Sequence, residues 1–186
     1  RKIDPGKVIV LIDQGFTSHP DRFLIPDRAG ISFEGTYRPL VDFLRHLSTI
    51  FDATIKVAAH PKASLAETIK IFSDFEVTSE DTMEMISAAD LVVTHSSTAI
   101  QWAVFFNKPI VLFSTPELDE SRLGPTAAGF VEQFNARKVD ICQEYQWIDE
   151  RTFDIDHFRY AAYRRNFVKG SASSEMSLKD IVISNL

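Results

Sequence analysis

A single cysteine, Cys142, stands in the whole sequence, so no internal disulfide can form and no cysteine-rich metal site can be assembled. That usage fits a reducing compartment. Positive charge is in deficit: 20 Lys and Arg stand against 26 Asp and Glu, a formal net charge of -6, which offers no general attraction to a nucleic-acid backbone. Nucleic acid is therefore not an expected partner, and an anionic ligand has to be caught locally. No apolar run approaches the roughly 18 residues that a spanning helix needs, and no signal-peptide pattern opens the chain. Neither internal repeats nor a long low-complexity tract occurs. Peripheral contact with a membrane stays open.

What is present is ordinary for a globular domain. The 186 residues are 45% hydrophobic and 25% charged, enough for one substantial core, so one domain over 1–186 is expected. The first residue is Arg1, and residues 1–6 resemble a linker entering a strand, so a longer parent protein is expected. Its remainder would hold the other half of an active site.

Residues 7–12, Lys-Val-Ile-Val-Leu-Ile, read as a central strand covered on both faces. A long loop is expected over 13–35, where three of the seven glycines and two prolines fall without a clear period. Leu40, Phe43, Leu44 and Leu47 then form the stripe of a helix over 36–50. Strands are predicted at 53–59, 75–77, 90–94, 109–113 and, weakly, 138–141. Helices are predicted at 64–72 with Ser64 as N-cap, and at 81–88, 97–106, 126–135, 155–168 and 177–185; residues 170–174 would join the last two. This repeated strand-helix-strand order implies right-handed crossovers and an α/β fold with a doubly wound, mostly parallel, Rossmann-like sheet and helices on both faces.

Two polar signatures follow strands of that sheet: His60-Pro61, and Thr94-His95-Ser96-Ser97-Thr98. In open α/β sheets, ligands gather beyond the carboxyl ends of the strands, so the two loops can converge on one crevice. At 96–98, three hydroxyls meet the start of a predicted helix, whose first N–H groups lack intrahelical partners; that combination suits a phosphate. Simple capping of the helix by one serine is the structural alternative. Imidazole can donate to a phosphate oxygen or pass a proton to a leaving group, and Pro61 disfavours helical backbone at His60. A partly buried histidine that merely ends a strand is the alternative there. Lys56 and Lys62 add positive charge but read as solvated. Asp13-Gln14-Gly15-Phe16 also follows a strand, and Gly15 would let backbone approach a ligand closely.

The run from His60-Pro61 through Ala89-Asp90-Leu91-Val92-Val93-Thr94-His95-Ser96-Ser97-Thr98-Ala99-Ile100 to Lys108-Pro109-Ile110-Val111 resembles the C-terminal nucleotide-binding domain of bacterial surface-polysaccharide glycosyltransferases. Sialyltransferases, polysialyltransferases and Kdo transferases with an HP motif and a serine-serine/threonine motif are such enzymes. The resemblance covers residues 7–113 and, more loosely, 160–186. It implies one half of a two-domain GT-B fold and no cofactor. In that family the HP histidine contacts the donor phosphate and is a candidate proton donor to the departing nucleotide, which puts His60 in the catalytic position. Paired hydroxyls bind the same phosphate; Ser96 with Ser97, or Ser97 with Thr98, would be that pair. Gln14, Gly15, Pro61 and His95 complete the expected substrate-binding set.

Departures narrow the reading. CDP-glycerol polymerases carry Asp-Tyr-Ser-Ser where this chain has His95-Ser96-Ser97, and UDP-GlcNAc 2-epimerases carry Ser-Gly-Gly and a glutamate where it has Ser97-Thr98-Ala99 and Gln101. Both classes are disfavoured. Asp13 resembles the acidic-glycine motif that supplies the general base in sialyltransferases, but that motif belongs to their other domain, so a ligand-loop or structural role is expected. His19-Pro20 repeats the dipeptide within a loop and is set aside. Asp154 and Asp156 imitate a metal-binding pair, yet they open a predicted helix where carboxylates cap; no metal is expected. Tyr160, Tyr163, Arg164 and Arg165 form a basic aromatic face on that helix, suited to solvent, an acceptor or a membrane.

The expected activity is metal-independent transfer of a sugar from a nucleotide donor, a CMP-linked acidic sugar, to a surface glycan at the cytoplasmic face of a membrane. The partners would be donor, acceptor glycan and an N-terminal acceptor domain of the same protein. A module that binds a nucleotide or sugar phosphate without turnover is the alternative.

Overall fold

The computed structural model describes residues 6–17, 30–143, 145 and 148–168. Predicted features at 170–174, 177–185 and His19-Pro20, and the loop over 18–29, lie outside the described residues. Six strands, β1 (Lys7–Ile12), β2 (Ala53–Ala58), β3 (Glu76–Thr78), β4 (Leu91–Thr94), β5 (Ile110–Ser114) and β6 (Arg137–Asp140), form one sheet in the order β3-β2-β1-β4-β5-β6. Every pairing is parallel. The fold is α/β and Rossmann-like.

Strand alternation divides the core between the two faces of the sheet. Ile9, Leu11, Ile55, Val57, Leu91, Val93, Val111 and Phe113 pack on one face, against the Leu40, Phe43, Leu44 and Leu47 stripe of helix α1 (Arg38–Phe51). Val10, Ile12, Ala58, Val92, Ile110 and Leu112 pack on the other, against helices α3 (Thr82–Ala88), α4 (Ile100–Phe105), α6 (Gly124–Phe134) and α7 (His157–Tyr163). Helix α2 (Leu65–Ile71) joins β2 to β3, with the Ser64 hydroxyl accepting from the Glu67 amide as expected.

Among the boundaries that differ from the sequence reading, three helix starts have a local reason. Helix α1 starts at Arg38 because residues 33–37 form a wider turn, capped by Ser32, whose side chain accepts from the Gly35 amide at 2.9 Å. Helix α4 starts at Ile100, three residues late, because Ser97 and Thr98 are taken into a turn ahead of it. Helix α7 starts at His157 because Asp156 is its cap, accepting from the Arg159 amide at 3.0 Å; a second wide turn, Arg164–Val168, follows it. A short helix α5 (Pro116–Glu120) was not predicted, since five residues are too few to show a period. No described helix is long and apolar enough to cross a membrane.

Candidate functional site

The strand order reverses between β1 and β4. Beyond β1 the chain leads to α1 on one face of the sheet, and beyond β4 it leads to α4 on the other. Loops that diverge in this way leave a crevice at the carboxyl edge, where ligands of such sheets bind. Residues 13–17 and 95–99 line its two sides.

Gln14 joins those sides. Its Oε1 accepts from the Ser96 amide at 2.8 Å, while its Nε2 donates to Ser96 Oγ at 2.9 Å. Both residues are buried, so this reciprocal pair is shielded from competing water. Since Ser96 Oγ accepts from Gln14, its own hydroxyl proton is left to be donated elsewhere. Replacing Gln14 by alanine would strand the Ser96 amide in a buried position, and chemical denaturation should show a loss of about 1–3 kcal/mol.

Ser97 is half-buried and Thr98 exposed at the mouth of the crevice. Ser97 Oγ accepts weakly from the Ala99 amide at 3.3 Å, and the Ser97 and Thr98 carbonyls accept from Ile100 and Gln101. Among the described residues, no protein acceptor takes the amides of Ser97 and Thr98. The predicted helix-end geometry is thus corrected to a turn with two unclaimed amides beside two hydroxyls.

His95 is placed differently from the expectation of a ligand-contacting side chain. It is 0% exposed, in contact distance of the rings of Phe16 and Phe113, with Nδ1 at 2.9 Å from the Phe113 carbonyl. Burial lowers its pKa, so the ring is neutral and Nδ1 carries the proton that it donates. Alternation explains the placement: His95 continues the series of Leu91 and Val93 into the core, whereas Ser96 takes the opposite parity. The residue lies beneath the crevice.

Register places His60 level with the Gln14 and Ser96 pair. Ile12 stands opposite Ala58, and Leu11 opposite Val93, so two and three further steps align Gln14 with His60 and with Ser96. Backbones of the outer two are separated by two strand spacings, about 10 Å. The main-chain bond from the Asp13 amide to the Ala58 carbonyl, 3.0 Å, carries the β1–β2 alignment past the strand ends. His60 is half-buried and accepts at Nδ1 from the Lys62 amide at 3.2 Å, which leaves the proton of the neutral ring on Nε2. Pro61 and Lys62 are exposed. Lys56 pairs with Glu76 at 3.0 Å on the sheet edge and does not belong to the crevice.

Gly15 adopts φ 59°, the left-handed region that lets the chain turn sharply after β1. Asp13 is buried, and its pKa is pushed up to about 6 by desolvation, against hydrogen bonds from the Gly15 amide, the Tyr37 hydroxyl and the Gln14 amide. At 3% exposure its carboxylate is not presented to solvent.

Glu117, at the start of α5, escaped the sequence reading. Its carboxylate accepts from the Ser32 amide at 2.8 Å, the Ser32 hydroxyl at 2.7 Å and the Thr36 hydroxyl at 3.0 Å. Desolvation raises its pKa, but those three donors outweigh it and hold the carboxyl below the usual value. The latch fixes the chain where it returns from the β1 loop into α1. A Cβ at Gly35 would collide with Glu117 Oε1. Gly35→Ala should therefore break the latch and lower stability by about 2 kcal/mol in denaturant titration, since hydrogen bonds to a charged group are being lost.

A cleft of about 460 Å³ lined by Thr17, Phe33, Glu67, Lys70 and Ile71 opens beside the β1 loop. A larger one, about 550 Å³, lies at the other edge of the sheet, against Ile110 and Arg137 at the first residues of β5 and β6. Size alone would therefore point away from the switch point. Asp154 and Asp156 line that larger cleft, and among the described residues no group of three or more His, Cys, Asp or Glu is placed to hold a metal ion.

No protein-family model matches the sequence, and no curated protein matches it. Solved structures show distant likeness. The glycotransferase of kitacinnamycin superposes with TM-score 0.45 at 18% identity, over 89% of this chain and 40% of that one. KpsC, a β-Kdo 2,4 transferase of Thermosulfurimonas dismutans, does so with TM-score 0.44 at 20% identity, over 73% of this chain and 38% of that one. UDP-GlcNAc 2-epimerase of Methanocaldococcus jannaschii, solved with UDP-GlcNAc and UDP, gives 0.44 at 12% identity, over 86% and 44%. The chain spans less than half the length of each of these three proteins.

Proposed function

We propose that this chain is the donor-binding half of a GT-B glycosyltransferase. The carrying observation is the switch-point crevice, where the Gln14–Ser96 pair ties two strand-end loops together and, among the described residues, the Ser97 and Thr98 amides have no protein acceptor. Four donors then lie within three consecutive residues after β4: the Ser96 and Ser97 hydroxyls and two amides. They would hold a phosphate and stabilise the charge it gains as it leaves. The HP and serine-serine/threonine motifs favour a nucleotide-linked sugar, and CMP-linked acidic sugar is the donor we assign.

In this reading, an acceptor hydroxyl attacks the anomeric carbon and the sugar's bond to the phosphate oxygen breaks, with its electron pair leaving on the nucleotide. His60 Nε2–H shares that developing charge. The acceptor proton passes to a base in an N-terminal acceptor domain, because Asp13 is buried and bonded. The acceptor would be a bacterial surface glycan, and the site would work on the cytoplasmic side, at the membrane.

Titration of CMP, CDP and UDP into the domain tests this. Binding of CMP at millimolar or better affinity is expected, with Ser97→Ala weakening it about tenfold, the worth of one charge-assisted hydrogen bond. If a folded sample binds none of the three, the phosphate site does not exist. Tight binding without turnover by the intact parent protein would instead mark a non-catalytic module.

A further inference from the structure

The turn after β1 uses its own amides in an unusual way. In a Rossmann-like sheet that turn is where a dinucleotide's pyrophosphate rests, on backbone N–H groups made accessible by several glycines. Residues 13–17, Asp-Gln-Gly-Phe-Thr, hold one glycine. The Gln14 and Gly15 amides hydrogen-bond the Asp13 carboxylate. The next two amides, of Phe16 and Thr17, hydrogen-bond the Tyr37 hydroxyl. That hydroxyl in turn donates to Asp13 Oδ1 at 3.1 Å. Four consecutive amides thus converge on one internal acid and its phenol partner, as they would on a bound anion.

Packing closes the arrangement. Asp13 is 3% exposed and Tyr37 0%. The Phe16 ring lies 6.0 Å from the Tyr37 ring and 6.1 Å from His95, so the residue that follows the glycine seals the turn from outside. Among the described residues, the titratable groups packed around Asp13 are Tyr37, from α1's approach, and the neutral His95 across Phe16, beyond β4.

We propose that Asp13 is a positioning residue that occupies, from within the chain, the anion-binding turn after β1, so that a ligand's phosphate is held on the β4 side alone. The turn so filled sets the backbone of Gln14 and hence its two bonds to Ser96. It also decides ligand class: a mononucleotide sugar phosphate fits, whereas a dinucleotide, which needs the β1 turn, does not. This rests on the phosphate site proposed above.

Asp13→Ala empties the turn and leaves room for a small carboxylate, so formate is the probe. Expected for the variant are a lower thermal midpoint, which added formate raises while leaving the wild-type protein unchanged, and a tenfold or greater loss of CMP affinity that formate restores. Wild-type affinity in Asp13→Ala, or a variant that formate neither stabilises nor rescues, overturns the proposal. Tyr37→Phe keeps the carboxylate but removes the acceptor of the Phe16 and Thr17 amides. It should fold and lose CMP affinity several-fold without formate rescue; unchanged affinity also counts against the proposal. Should the wild-type protein bind no nucleotide, the phosphate site fails, while the formate-dependent midpoint of Asp13→Ala still decides whether the turn is an anion nest.

Discussion

His60→Ala in the intact parent protein is expected to cut turnover by about 10²–10³-fold, the usual cost of removing one preorganised donor to developing charge, while CMP affinity changes by less than tenfold. The geometry chooses between two chemical roles. Because Nδ1 accepts from the Lys62 amide, the neutral ring carries its proton on Nε2, which is then its donor atom. Protonation at Nδ1, which a general acid requires, would set two N–H groups against each other. His60→Gln tests the distinction, since an amide N–H can replace a hydrogen-bond donor but cannot deliver a proton. Substantial activity in His60→Gln is expected. If glutamine is as damaging as alanine, and the wild-type rate falls with a basic limb near neutrality, proton transfer is the correct role.

Unfolding titrations between pH 4 and 7 should show Asp13 weakening the folded state as pH rises. Burial lifts its pKa from the ordinary 3.8 to about 6. An acid with a raised folded pKa binds its proton more tightly when folded, so its stabilising share is complete below 3.8 and is lost as pH climbs through about 6. The gap corresponds to about 3 kcal/mol, at 1.36 kcal/mol for each pKa unit. Relative to wild type, Asp13→Ala should therefore look about 2 kcal/mol better at pH 7 than at pH 4, part of the gap being already lost at pH 4, whatever its absolute stability. A difference that does not vary with pH would mean that the carboxyl is hydrated in solution, and that the amides around it are not held by a buried charge. The same result would also weaken the case that the charge is retained to shape the site.

Composition and period were enough for the α/β class, for β1 over Lys7–Ile12 and for the stripe that seats α1, because a strand buried on both faces and a helix packed on a sheet each leave a local apolar pattern. The two motif loops were also legible, since short polar segments after apolar strands are conspicuous. Their partners were not. Gln14 meets Ser96 across 82 positions, and Ser32 meets Glu117 across 85, distances over which no local pattern operates. Helix α4's late start depends on a turn that one hydroxyl and two carbonyls stabilise, and that competition is invisible in a list of residues.

By itself, then, the sequence determined that the chain alternates strand and helix and that its strands end in polar loops, and it pointed to His60 and Ser96 to Thr98 as candidates. Only the tertiary structure decided which of those side chains face the crevice. Strand parity turned His95 inward and Ser96 the other way, and the order β3-β2-β1-β4-β5-β6 put β1 between β2 and β4, making Gln14 the bridge. Burial then made Asp13 an internal acid bonded to the Tyr37 hydroxyl. Each of these follows from which strands are neighbours, a property set by packing both faces of one sheet rather than by any stretch of chain.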